Sequence, residues 1–105
     1  MYVYRILLEK RPPGTAIVSP ETDLPYKNRI KPGCMVALRF HEVRILAHVV
    51  ELDEDESYLG QVIDLDGIRR REDQPEVSIW PELQGLNIGT YLRFREDHIF
   101  ACHVA

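Results

Sequence analysis

The chain has 105 residues, which is enough for one domain and too few for two of ordinary size. Hydrophobic residues make up 45% and charged residues 29%, a globular composition that excludes a disordered tail. The net charge of −4 argues against a general nucleic-acid coat, because phosphate binding needs a cationic surplus. No run reaches the roughly 20 apolar residues of a membrane helix, and the N-terminus lacks a secretory pattern. We therefore expect a cytoplasmic protein that contacts neither nucleic acid nor membrane.

The first part of the chain combines one predicted strand with a long loop. Residues 2–8 are aromatic, β-branched and apolar, which predicts a strand that ends at Pro12. Residues 12–33 hold five of the seven prolines and predict a proline-rich loop with one short strand at 16–18. A loop of this length in a small domain is unusual and often functional.

The rest of the chain alternates strand patterns with turn signals. The predicted strands cover residues 35–40, 43–52, 58–65, 77–80, 91–94 and 99–104. Residues 53–57 form a polar hairpin connection, and residues 95–97 are expected to close a last hairpin. Residues 81–85 predict one helical or 3₁₀ turn, and no window predicts a longer helix.

These patterns predict a mainly β fold in a single domain over residues 1–105. We expect a small antiparallel barrel, or a strongly bent sheet, of six or seven strands with at most one short helical turn. The predicted core consists of Ile6, Leu8, Val36, Leu38, Phe40, Ile45, Val49, Leu59, Val62, Ile63, Leu92, Phe94, Ile99 and Phe100.

Two segments repeat at a fixed offset. Residues 38–47 and 92–101 share six identities in ten positions, Leu-Arg-Phe-x-Glu-x-x-Ile-x-Ala, without a gap. An old duplication would produce such an echo, and so would the alternation that any strand-turn-strand unit requires. Both interpretations stay open at the level of sequence.

Charge is distributed unevenly along the chain. Residues 1–50 carry eight cationic and four acidic side chains, whereas residues 51–105 carry five and thirteen. Five acids cluster at the predicted hairpin tip: Glu51, Asp53, Glu54, Asp55 and Glu56. Such a tip steers a basic protein electrostatically, or it serves solubility and protects a strand edge.

Two aromatic residues lie beside prolines, Tyr26 after Pro25 and Trp80 before Pro81. Aromatic side chains on such segments are good anchors for a partner, and they also close the ends of small barrels. We predict that both residues bind the partner together with the five acids of the tip.

Histidines and cysteines offer a different chemistry. The candidate metal ligands are His41, His48, His98, Cys102 and His103, with Cys34 as a further thiol. On a strand, residues 98 and 102 share a face while residue 103 points the other way, so a zinc site needs ligands from elsewhere. No C-x-x-C or H-E-x-x-H spacing occurs. The principal expectation is two free thiols, no metal and no cofactor.

The C-terminal half carries a family resemblance in residues 48–51, 58–62, 88–94 and 98–99. These segments resemble a bacterial family of small β domains of unknown function, over about the last fifty-five residues. The sequence departs from the family pattern at Thr90, where the family has aspartate, and at Val49, where it has an aromatic residue. The strand spacing is also similar to that of SH3-like barrels. The resemblance implies a small β domain and assigns no catalytic role to any residue.

We therefore expect a non-catalytic binding or regulatory module, monomeric or homodimeric, that engages a protein partner. Its working surface would combine the acidic tip with the proline-rich loop. One alternative is an acidic inhibitor or immunity-type protein that blocks a basic enzyme. The other is a metal- or thiol-dependent enzyme that uses the histidine and cysteine set.

Overall fold

The computed structural model describes residues 2–75 and 78–103. Its strands are Val3–Tyr4 (β1), Val18–Ser19 (β2), Leu24–Pro25 (β3), Met35–Phe40 (β4), Val43–Leu52 (β5), Tyr58–Asp66 (β6), Tyr91–Phe94 (β7) and Ala101–His103 (β8). Two 3₁₀ turns cover Pro81–Leu83 and Glu96–His98. The expectation of a mainly β fold is confirmed.

The eight strands form one sheet in the order β1-β7-β6-β5-β4-β8-β2-β3. β4, β5, β6 and β7 are antiparallel neighbours, whereas β1 pairs with β7 and β2 pairs with β8 in parallel. The sheet is not closed along the described residues, so the predicted barrel of six or seven strands is not confirmed. The eight strands include three two-residue strands, β1, β2 and β3, at the two edges of the sheet, and β3 is the one of these that the sequence did not predict.

The central strands follow from the alternation in the sequence. The bounds of β4 and β5 are those predicted, and every second residue of β4 is buried, at Val36, Leu38 and Phe40. A tight turn with His41 at φ 51° joins the two strands. Because side chains alternate between the faces of a strand, the other face carries Ala37 and Arg39 away from the core.

Three predicted elements differ from the structure. The first strand is only Val3–Tyr4 long, because its partner β7 is short and pairs at just two positions. Residues 91–94 and 99–103 do not form a hairpin: β7 pairs with β6, and β8 pairs with β4. Val104, the last residue of the predicted strand, lies outside the described residues. The 3₁₀ turn Glu96–His98 separates them, and the Phe100 amide donates to the Ala37 carbonyl at 2.9 Å, which directs β8 onto β4.

The predicted strand at 77–80 lies partly outside the described residues, because Val77 is not among them. Ser78 forms an isolated antiparallel bridge with Arg70. The predicted 3₁₀ turn at 81–85 is confirmed at Pro81–Leu83.

The core lies on one face of the sheet. Its largest fully buried side chains include Leu38, Ile45, Leu92 and Phe94. Two core predictions are wrong. Ile63 is 37% exposed, because it has no partner on β5 at a register shift: Val62 pairs with Ala47 and Asp64 pairs with Leu46. Phe100 is half-buried on the opposite face, under Arg39.

The two echo segments adopt different structures. Residues 38–47 form the β4–β5 hairpin, whereas residues 92–101 pass from β7 through a 3₁₀ turn to a strand elsewhere in the sheet. What they share is Leu and Phe in the core with Arg between them on the outside. The identical residues of the two segments therefore reflect the alternation of buried and exposed positions in a strand, and they give no structural support to a duplication.

The proline-rich loop folds over one end of the sheet. It contributes the β2–β3 hairpin and buries Ile17 and Ile30. The Tyr26 amide donates to the Ile17 carbonyl at 2.7 Å, which ties its two halves together. Within residues 2–75 and 78–103, no helix is long and apolar enough to cross a membrane.

Candidate functional site

The acidic tip between β5 and β6 forms ion pairs with two arginines, one in β7 and one just after it. Arg93 forms an ion pair with Asp53 and also donates to the Ser57 hydroxyl at 3.1 Å. Arg95 lies 3.6 Å from the Asp55 carboxylate and donates to the Asp55 carbonyl at 3.0 Å. Two of the five tip acids are therefore neutralised within the molecule.

Asp55 also organises the turn itself. Its carboxylate accepts hydrogen bonds from the hydroxyl and the amide of Ser57, at 2.7 and 3.1 Å. These bonds, with a smaller contribution from the charge of Arg95, lower the pKa of Asp55. Glu51, Glu54 and Glu56 have no ion pair among the described residues. The tip stays a predicted partner-binding surface, with its free charge reduced to these three acids.

A groove of about 880 Å³ lies on the outer face of the sheet, opposite the core. Strands β6, β5, β4 and β8 form its floor, and the proline-rich loop forms one wall. Apolar side chains on the floor include Ala37, Leu46 and Ala101, which are adjacent in the strand register.

Two arginines face each other across the floor of this groove. Arg39 of β4 and Arg44 of β5 are register partners, so their side chains leave the sheet on the same face. No carboxylate oxygen of the described residues lies within 4.0 Å of either guanidinium. Asp66 is the register neighbour of Arg44 on β6 and still makes no ion pair within that distance. Like charges directly opposite in a sheet are destabilising, and Asp66 offsets the repulsion between the two arginines only in part, because it makes no ion pair with Arg44.

An aromatic ring orients one of these arginines. The Arg39 guanidinium carbon lies 4.4 Å from the centre of the Phe100 ring. A guanidinium stacked on an aromatic face keeps its donor edge free for a planar anion. Phe100 therefore lines the groove and packs under Arg39, on the face of the sheet opposite the core.

The loop wall of the groove is held by specific bonds. Val18 donates its amide to the Phe100 carbonyl at 3.1 Å. His103, at the end of β8, lies 3.0 Å from the Glu21 carboxylate. Backbone hydrogen bonding and the contact with His103 lower the pKa of Glu21. The loop is therefore fixed to the sheet on the side of the groove away from Arg44.

Tyr26 and Trp80, the two predicted aromatic anchors, are both half-buried. The Tyr26 hydroxyl contacts the Cys34 thiol at 3.7 Å and faces the core. Trp80 stacks on His41 with ring centres 4.3 Å apart, and it contacts Phe40 edge-on at 5.9 Å. Both rings close ends of the sheet structure, and their role as anchors stays a prediction.

The histidine and cysteine candidates are dispersed. His98 accepts the Arg95 amide on Nδ1 at 2.9 Å, and His41 lies against Trp80. His48 and His103 lie on the outer face, two strands apart with Met35 between them. Cys102 is buried in the core, and burial raises the pKa of its thiol to about 12. In the part of the chain that the structure describes, no three His, Cys, Asp or Glu side chains form a potential metal site.

Sequence reasoning did not identify the arginine pair, although a signal was present. Arg39 and Arg44 lie at equal distances from the tight turn at residues 41–42. In a two-residue hairpin, positions placed symmetrically about the turn are opposite each other on one face. The loop residues that form the wall of the groove are distant in sequence from β4 and β5, so no local pattern predicts that they lie beside these strands.

Compared with known proteins, the chain matches no family model, no curated protein and no solved structure. The resemblance stated above to a family of small β domains therefore stays a prediction, as does the cytoplasmic location.

Proposed function

We propose that this protein is a non-catalytic binding module that takes a carboxylate-bearing segment of a protein partner into the outer-face groove. The observation that carries the proposal is the unneutralised pair Arg39 and Arg44 on the groove floor. A carboxylate placed between them would accept hydrogen bonds from both guanidinium groups. It would also remove the repulsion that the free protein tolerates.

The rest of the lining favours a peptide over a nucleic acid. Asp23, Asp64 and Asp66 also line the groove, and they would repel a chain of phosphates more strongly than a segment with a single carboxylate. A peptide with one acidic residue and apolar neighbours fits better, because its apolar side chains can cover Leu46 and the two alanines. This is the protein partner expected from the sequence, recognised through opposite charge.

We infer further that the sheet is strongly bent, in the manner of SH3-like barrels. β7 and β8 flank β6, β5 and β4, so four strand spacings separate them. In a flat sheet they would lie about 19 Å apart, at about 4.8 Å per spacing. Residues 95–100 must bridge that gap although three of them form a 3₁₀ turn, and curvature shortens the path.

A labelled-peptide titration tests the proposed function. The probes are short fluorescent peptides that alternate Leu with Asp, and matched peptides with Asn in place of Asp. We expect the Asp peptides to bind, and Arg44→Gln to weaken that binding at least about tenfold, the loss of one charged hydrogen-bonding pair. Arg5→Gln is the matched control, since Arg5 is exposed and lies outside the groove.

The titrations have outcomes that contradict the proposal and an outcome that supports it. Equal binding of Asp and Asn peptides, or equal weakening by Arg44→Gln and Arg5→Gln, would show that the groove does not recognise carboxylates. Loss of the Asp-specific component only in the groove variant would support the proposal. Raising the salt concentration should weaken the same component.

A further inference from the structure

A second, smaller cavity of about 320 Å³ lies beside the loop wall and is separate from the groove floor. Its walls come from the two halves of the proline-rich loop and from the start of β6. The polar residues that line it include Arg11, Thr15, Asn28, Arg29, Tyr58 and Glu96. Arg11 and Thr15 also border the groove, so they form part of the partition between the two spaces.

The lining has an excess of hydrogen-bond donors with positive charge. Glu96 is the acidic residue among the lining residues, and it already forms an ion pair with Arg11 at 2.8 Å. Arg29 is exposed and has no ion pair among the described residues. One cationic charge is therefore left without a counter-charge in the cavity.

Arg11 supplies an independent observation that points to a ligand. Its side chain is only 10% exposed. One terminal nitrogen donates to the Thr15 carbonyl and the other lies 3.3 Å from the Glu96 carbonyl. The remaining donor, Nε, is buried and has no hydrogen-bond partner. A buried donor without an acceptor is costly. Because Nε has no surface open to the cavity, an acceptor from outside the chain would reach it only after a shift of the Arg11 side chain, and that contact would stabilise it.

Tyr58 adds a flat wall. Its ring stacks against Phe94 with ring centres 5.8 Å apart and an interplanar angle of 23°, so its position is set by the core. The Tyr58 hydroxyl is protonated at neutral pH, as tyrosine ordinarily is, and burial raises its pKa further, so it is available as a donor.

We propose that this second cavity binds a small oxyanion, a molecule bearing a carboxylate or a phosphate group, through Arg29, the free Nε of Arg11 and the neighbouring donors. The proposal does not depend on the groove or on its peptide. The two chemistries share the same recognition, because a planar or tetrahedral oxyanion can accept from a guanidinium edge and from neutral donors together.

The test uses calorimetric titration of the full chain with inorganic phosphate and, separately, with citrate, at constant ionic strength maintained with chloride. We expect saturable binding of at least one probe. Arg29→Gln should weaken it about tenfold, the effect of losing one charged contact. Lys27→Gln is the matched control, because Lys27 lies two residues away and does not line the cavity.

Each result has a definite meaning. Saturable phosphate binding that is lost in Arg29→Gln identifies a phosphate ligand, and the same pattern with citrate identifies a carboxylate ligand. Absence of saturable binding of both probes, or equal effects of Arg29→Gln and Lys27→Gln, would overturn the proposal. Arg44→Gln should leave oxyanion binding unchanged, and Arg29→Gln should leave Asp-peptide binding unchanged, so failure of one proposal is distinguishable from failure of the other.

Discussion

The acidic tip and the outer-face groove use charge in opposite ways. At the tip, Arg93 and Arg95 cross over from β7 to neutralise Asp53 and Asp55. In the groove, Arg39 and Arg44 lie opposite each other without an ion pair. A cluster that is prominent in the sequence is thus largely occupied in holding a turn. Two arginines that are inconspicuous in the sequence are the ones available to a ligand.

The largest effect on stability is expected in the core beneath the tip. A Cβ at Gly60 would lie 2.6 Å from Cε1 of Phe94, a ring fully buried in the core. Gly60→Ala should lower the free energy of unfolding by about 1–3 kcal/mol, as overpacking does. Urea unfolding measures it, and adding Phe94→Leu should recover part of the loss. An additive double variant would contradict this account of the contact.

The next effect concerns the ion pairs of the tip. Arg93→Gln removes the partner of Asp53 and a donor to Ser57, which is only 3% exposed. Because both charged side chains are partly exposed, we expect a loss of about 1 kcal/mol. Arg5→Gln, the control, should change stability by less than about 0.5 kcal/mol. Equal unfolding midpoints for the two variants would mean that the tip arginine is not structural.

A smaller, pH-dependent effect is expected at the 3₁₀ turn that follows β7. His98 accepts the Arg95 amide, and burial lowers the pKa of His98 below its ordinary value of 6.5, while Asp97 acts in the opposite direction. The unfolded chain therefore takes up this proton at a higher pH than the folded chain does. Stability should fall as the pH drops through about 6.5 and level off below the folded pKa.

Urea unfolding at several pH values checks this, with His98→Phe as the comparison. That variant lacks the acceptor and the titration, so its stability should be lower at neutral pH and should vary less between neutral and mildly acidic pH. An unchanged pH dependence in the variant would assign the titration to another histidine.

The free acids of the tip should have the smallest effect on stability. Glu54→Gln and Glu56→Gln remove charges without an ion pair among the described residues, so each should change stability by less than about 0.5 kcal/mol. If the tip steers a basic partner, the double variant should slow association at low salt without changing stability. Unchanged association would leave these acids a role in solubility alone.

The sequence predicted local features well and distant ones poorly. Alternation in residues 35–40 and the β-branched run at 43–52 fix β4 and β5, because burial of one face specifies the pattern. The final strands failed as a hairpin because a 3₁₀ turn with a His98 cap lies between them. The tip ion pairs join residues 40 positions apart, so no spacing rule indicates them.

The most direct test of the contrast is a comparison of urea midpoints for Arg44→Gln and Arg93→Gln. Arg44→Gln removes the repulsion by Arg39 and also the attraction of Asp66, but Asp66 makes no ion pair with Arg44 and its effect is the smaller one. Stability should therefore rise by a few tenths, about 0.3 kcal/mol, whereas removing the tip arginine should lower it. Opposite signs would support the account, in which the groove arginines are kept for binding. A loss of stability in Arg44→Gln comparable to that in Arg93→Gln would contradict it, because Arg44 would then have a structural partner.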